Sequence, residues 1–200
     1  MLIITIKQGK EKSLLEKQVW IYASAVERVD GRPSEKMTAG VTALVHSSSG
    51  KFLARAAYNS KSQIRARVWS FDEQEPVDHA LIKRRVKAAI VKRSVTAEGK
   101  KITTNPVHLV LGEEDGLSGL VVDWFDGRNG FLVCEFQSAG VDAWKVPIVQ
   151  ALMAETGCPN VYERSDALLR KGEGLPVTPG VLAGEEPPDE IKNGHRKNFK

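Results

Sequence analysis

Short runs of branched and small apolar residues mark the first third of the chain. LIITI (2–6), VTALVH (41–46) and FLARAAY (52–58) read as strands, and IRARVW (64–69) alternates strictly, the period at which a strand sends side chains to opposite faces. The turn SSSG joins the second and third of these runs as a hairpin. WIYASAVERV (20–29) reads as one further strand ending at the Asp30-Gly31 turn, and residues 10–17 as a short charged helix. Several short strands separated by turns predict a small β-barrel over residues 1–75.

After Glu75-Pro76 the period changes from two to that of a helix. Asp78 is placed to cap a helix over residues 78–95, with Ile82, Val86, Ala89 and Ile90 on one stripe facing a core. Lys83, Arg84, Arg85, Lys87 and Lys92 fill most of the remaining circumference, either as a solvated face or as a surface for a polyanion. VHLVLG (107–112), GLVVDWF (119–125) and FLVCEF (131–136) predict a meander containing a β-hairpin. Residues 138–157 predict a helix with Val141, Trp144, Ile148 and Leu152 on one face and Gly157 at its end. Pro147 kinks that helix or marks where it begins. VYERS (161–165) reads as a strand. From Lys171 onward glycine and proline are too frequent for long regular elements. The chain therefore predicts an α+β protein: a barrel domain over 1–75, a mixed α/β domain over 76–190 and a basic tail over 191–200.

Charge and cysteine content narrow the possibilities. A net charge of +4 and a pI near 9.0 tilt mildly toward polyanionic partners. Cys134 and Cys158 lack the spacing of a disulfide framework or a zinc site and are expected to stay reduced. No apolar run suits a bilayer span, and the N-terminal segment reverses the order of a signal peptide. A cytoplasmic location without membrane association is expected. Glu113, Glu114, Asp115, Asp123 and Asp126 could in principle supply a hydrolytic pair, but Glu113–Asp115 and Asp126 fall in apparent turns, where acids are common. His46, His79, His108 and His195 show no ligand spacing. GEGLPVTPGVLAG (172–184), the one glycine-rich run, is followed by prolines and acids rather than a helix. It reads as a connector and not a cofactor loop.

The run IRARVWSF carries the most pointed chemistry. Alternation places Ile64, Ala66 and Val68 on one face and Arg65, Arg67, Trp69 and Phe71 on the other. Arginines neutralise phosphates, and large aromatics stack on unpaired bases. Lys61, Arg65, Arg67 and Trp69 are thus candidate RNA-binding residues. In the alternative reading Trp69 and Phe71 pack on a neighbouring domain and the arginine stems cover apolar surface.

GKEKSLL, WIYASAV, FLARAAYNSKSQIRARVWSFD, GEEDGLSGLVVDWF, SAGVDAW, VYERSD, RKGEG and GEEPP, taken in order, resemble the bacterial large-subunit (23S) ribosomal RNA cytosine-5 methyltransferases that carry an N-terminal PUA domain. The resemblance runs from Gly9 to Gly194. It implies a PUA β-barrel that binds ribosomal RNA, then a central α/β domain with a β-hairpin. In the family a Rossmann-like domain follows, which binds S-adenosylmethionine and supplies a catalytic cysteine. Two departures stand out. Gln18-Val19-Trp20 replaces the family's His-Pro-Trp. After EIKNG, where the family continues into a strand and the loop GQKTGFYLDQR, this sequence reads HRKNFK. Neither Cys134 nor Cys158 matches the family nucleophile, so no catalytic or cofactor-binding residue maps onto this chain. The resemblance implies the RNA-binding portion of such an enzyme, without catalysis of its own. Two further readings are one half of a split methyltransferase completed by a separate catalytic domain, and a non-functional remnant.

Overall fold

A computed structural model describes residues 1–94 and 104–194. In the first region the strands are β1 (Leu2–Ile6), β2 (Trp20–Tyr22), β3 (Val26–Asp30), β4 (Val41–His46), β5 (Phe52–Tyr58) and β6 (Ile64–Ser70), with short helices α1 (Lys12–Leu15) and α2 (Pro33–Met37) between them. They form one sheet in the order β2-β6-β5-β4-β1-β3. β1 and β4 are parallel and every other pair is antiparallel.

WIYASAVERV is not a single strand. A one-turn 3-10 helix at Ala23–Ala25 divides it into β2 and β3, which lie at opposite edges of the sheet. Six flat strands would separate those edges by about 24 Å, whereas three residues reach about 10 Å. The sheet must therefore curl into a half-barrel. Its concave side is filled by the alternation visible in the sequence: Leu2, Ile4, Ile6, Ala43, Val45, Ala54, Ala56, Ala66 and Val68 are all buried in one core. Phe71 departs from the expected face. It lies beyond the end of β6, packs against this barrel core, and has Lys17 Nζ 4.7 Å from its ring centroid.

The second region begins with α3 (His79–Ser94), whose first turn is capped by Asp78 accepting a 2.9 Å hydrogen bond from the Leu81 backbone. The sheet strands β7 (Val107–Leu111), β8 (Leu120–Phe125), β9 (Phe131–Phe136), β10 (Val161–Glu163) and β11 (Gly180–Ala183) stand in reverse sequence order, with only β9 and β10 parallel. α4 (Ala139–Ala143) and α5 (Lys145–Thr156) are two helices broken at Trp144 rather than one. Pro147 sits in the first turn of α5, where its missing N–H has no intrahelical partner to lose. α6 (Ala167–Gly172) and α7 (Asp189–Lys192) complete the described elements. Ile82, Val86 and Ala89 of α3, Leu109 and Val122 of the sheet, and Ile148 and Leu152 of α5 share one buried core. The ends of two expected segments, Val95 of the helix and 195–200 of the tail, lie outside the described residues.

Candidate nucleic-acid interface

β6 is the second strand of the curled sheet, and its two faces meet different surroundings. Ala66 and Val68 enter the barrel core, while Trp69 on the reverse face enters the core of the second region together with Ala57 of β5. α4 is seated directly on these residues. A Cβ on Gly140 would fall 2.6 Å from the Ala57 Cβ and 3.4 Å from the Trp69 ring. A Cβ on Gly40 would fall 2.2 Å from the Ala139 carbonyl oxygen, so both positions are restricted to glycine by close approach.

Polar groups surround that apolar contact. Arg67 Nη2 donates to Glu173 Oε1 at 2.6 Å and Nη1 donates to Ser118 Oγ at 3.2 Å. Asn59 Nδ2 donates to the Glu173 carbonyl at 2.7 Å and to its carboxylate at 3.1 Å. The connector expected over 172–184 thus delivers a buried carboxylate into the junction of the two regions.

The four residues singled out in the sequence are not one surface. Trp69 is only 5% exposed, so in the folded chain it packs and cannot act as a stacking platform. Arg67 is ion-paired at the junction. Arg65 is half-buried, its Nε donating to the Ser62 carbonyl at 3.1 Å, and Lys61 is exposed on the β5–β6 turn. Among the described residues neither Lys61 nor Arg65 has an ion pair, whereas Arg67 and Trp69 join the two sheets.

Exposed aromatics occur elsewhere, on the edge strand β2. Trp20 and Tyr22 are 39% and 51% exposed and meet edge to face, centroids 6.4 Å apart. The alternating W-I-Y triplet at an edge is the signal for them, hidden by reading 20–29 as one strand. Trp20 Nε1 donates to Glu113 Oε1 at 2.9 Å, and the Arg67 guanidinium lies 5.1 Å from the Trp20 ring centroid. Ser118 Oγ also donates to Glu113 Oε1, at 2.7 Å. Burial alone would raise the Glu113 pKa; the Ser118 and Trp20 hydrogen bonds and the nearby Arg67 charge outweigh it and hold the carboxyl below its ordinary value. Clefts of about 530 and 680 Å³ each include Trp20 and Glu113 in their walls.

Elsewhere the charged groups are largely paired. Asp123 faces His108 and Arg164, Arg93 bridges Glu114 and Asp115, and Lys145 and Arg170 face Asp142 and Glu163. Each of these acids thus has a basic partner. On α3, Arg84 and Arg85 pair with Glu75, while Lys83, Lys87 and Lys92 are exposed. Cys134 and Cys158 are buried free thiols, and burial pushes the Cys134 thiol far up, against thiolate formation. Among the described residues no group of His, Cys, Asp or Glu has the arrangement of a metal site, and no helix is long and apolar enough to cross a membrane. His195 lies outside the described residues.

Residues 4–71 match the PUA-like domain family. The ribosomal RNA large subunit methyltransferase I of Aliivibrio fischeri (strain ES114) is 37% identical over 209 residues, covering 98% of this chain and 50% of that protein. The enzyme of the same name from Pseudoalteromonas translucida is 42% identical over 184 residues, covering 92% of this chain and 44% of its own. The chain spans about half the length of the curated relatives it matches. Among solved structures, a Streptococcus mutans protein described as a SAM-dependent methyltransferase superposes with a TM-score of 0.71 at 15% identity, over 94% of this chain and 45% of its own. At that identity the agreement concerns the fold.

Proposed function

Because this chain is homologous to the N-terminal half of the bacterial ribosomal RNA large subunit methyltransferases I, we propose that it is the RNA-recognition portion of an enzyme that methylates carbon 5 of a cytosine in large-subunit ribosomal RNA, and that it has no catalytic activity by itself. The observation that carries this reading is similarity along 98% of the chain to half of an enzyme named for that RNA.

The chemistry of the described residues supports it. Cys134 is buried with its thiol held protonated, the reverse of what a cysteine nucleophile needs. The glycine-rich run 172–184 joins α6 to the edge strand β11 instead of joining a strand to a helix N-terminus, so it does not fit S-adenosylmethionine. In this reading the methyl donor and the nucleophile belong to the other half of the enzyme, while Lys61 and Arg65 contact RNA phosphates beside the junction. Arg67 and Trp69 hold the two sheets in the relative position that recognition requires.

Fluorescence anisotropy with a labelled large-subunit ribosomal RNA hairpin at two salt concentrations tests the reading. Saturable binding that weakens with salt is the expected result; absence of binding at low salt overturns it. Titration with S-adenosylmethionine is expected to show no saturable binding, and tight binding by this chain alone would contradict the division of labour.

A further inference from the structure

Trp20 is exposed yet held in place from several directions. It stands on an edge strand, hydrogen-bonded on one side only, to β6. Its indole N–H is anchored at 2.9 Å to Glu113, some 93 residues away, the Arg67 guanidinium lies 5.1 Å from its centroid, and Tyr22 meets it at an interplanar angle of 80°. An exposed tryptophan usually loses rotamer freedom when a ligand stacks on it, and fixing it beforehand removes that cost. The two clefts that share Trp20 are of small-ligand size.

Glu113 adds direction to this surface. Its Oε1 accepts from both Trp20 and Ser118 and lies 3.5 Å from Arg67 Nη1. Oε2 receives none of these bonds, and the side chain is 42% exposed. An ionised carboxylate accepts hydrogen bonds and donates none. Lys17 lines the larger cleft with Trp20 and Tyr22, supplying a cation beside the aromatic pair.

We infer that Trp20, Tyr22 and Glu113 form a site for one unstacked nucleobase of single-stranded RNA, with the base stacked on the Trp20 ring beside Tyr22 and its exocyclic amino group donating to Glu113 Oε2. This inference rests on the RNA-binding reading above and locates base recognition on β2 rather than on β6. A lone acceptor selects among bases by their donors. Cytosine, adenine and guanine each present an amino group, whereas uracil presents an N–H flanked by two carbonyl oxygens that an anionic carboxylate repels. Cytosine is therefore favoured over uracil at this site. Lys17 lines the same cleft, its Nζ 4.7 Å from the Phe71 ring centroid, and is the cation assigned to the neighbouring phosphate, in keeping with single-strand sites that pair an aromatic platform with a cationic groove.

The test is fluorescence anisotropy of this chain with labelled short oligocytidylate and oligouridylate at low and moderate salt. The expected result is tighter binding of oligocytidylate. Trp20→Ala should weaken it about 5- to 150-fold, the range for losing one base–aromatic stack. Trp20→Phe should keep most of the affinity, since it removes the N–H but leaves a ring. Glu113→Gln should reduce the preference for cytidylate over uridylate. Tyr22→Ala guards against a misfolded Trp20 variant, because no hydrogen bond to the second sheet involves the Tyr22 side chain among the described residues; it should also weaken binding. If the wild type binds both RNAs and none of the Trp20 and Tyr22 variants changes the affinity, this site is overturned while the RNA-binding reading stands. If the wild type binds neither RNA at low salt, both fall. Equal wild-type affinity for the two oligonucleotides overturns the role given to Glu113.

Discussion

Two strands of the curled sheet carry arginine or aromatic side chains next to one another, and they meet opposite fates. On β6, Arg67 and Trp69 face the second region, where the indole is sealed into a core and the guanidinium is bound by Glu173. On β2, immediately beside it, Trp20 and Tyr22 remain open to solvent. The two strands are antiparallel neighbours in one sheet. What differs is covering. α4 and the 172–174 segment cross the back of β5 and β6, whereas β2 is a sheet edge whose Trp20 is tied to the second region by a hydrogen bond to Glu113. An arginine-aromatic strand is therefore as much the mark of an internal joint as of a nucleic-acid surface. The less conspicuous edge strand carries the aromatic pair that a base could reach.

Mutation separates the roles of the two strands. The largest effect is expected from Trp69→Ala, which should destabilise the chain by about 3–5 kcal/mol in urea unfolding, as for other large-to-small aromatic changes in a core. Trp20→Ala should cost only about 1 kcal/mol, since it removes an exposed ring and one hydrogen bond. Equal losses would mean that the two aromatics share a structural role.

Next comes Arg67→Ala. It strands the Glu173 carboxylate, whose side chain is 8% exposed, and should cost about 3 kcal/mol. Adding Glu173→Gln in the same chain should recover part of that loss, as measured in a double-mutant cycle. By contrast, Lys61→Ala with Arg65→Ala should leave stability within about 0.5 kcal/mol. That pair should instead reduce the salt slope of RNA binding by about 0.7 for each single-strand phosphate that the two side chains no longer neutralise. A slope unchanged in the double variant would remove both residues from the interface.

The smallest effect concerns pH. Glu113 has a folded pKa held below its ordinary 4.5, so its contribution to stability is complete above that value and is lost as pH falls through the lower folded value. Unfolding midpoints measured from about pH 6 down to about pH 3 should therefore decline more steeply for the wild type than for Glu113→Gln. Parallel curves would show that the Trp20–Glu113 tie does not depend on the carboxylate charge.

Much of this architecture was legible from local pattern. Alternation placed Ala66 and Val68 on the inner face of the sheet, and helical spacing placed Ile82, Val86, Ala89 and Ile90 against a core. Asp78 and Gly157 mark helix ends because each acts through its own backbone neighbourhood. The order of motifs such as SQIRARVWSFD and GEEDGLSGLVVDWF pointed to the methyltransferase relatives. Less was legible at the site. The division of WIYASAVERV between two sheet edges, the turning of Phe71 into the barrel, and the break at Trp144 all follow from closure and packing.

Which residues alternate, where helices begin and which proteins this chain resembles all depend on the order and spacing of residues along the backbone. Whether Trp69 or Trp20 meets solvent was decided by the tertiary structure alone. Periodicity assigns a side chain to a face but is silent about what covers that face, and here the covering groups are remote. Arg67 is bound by a carboxylate 106 residues along the chain, and the Trp20 N–H by one 93 residues along. Covering of that kind arises only when the second sheet docks on the first.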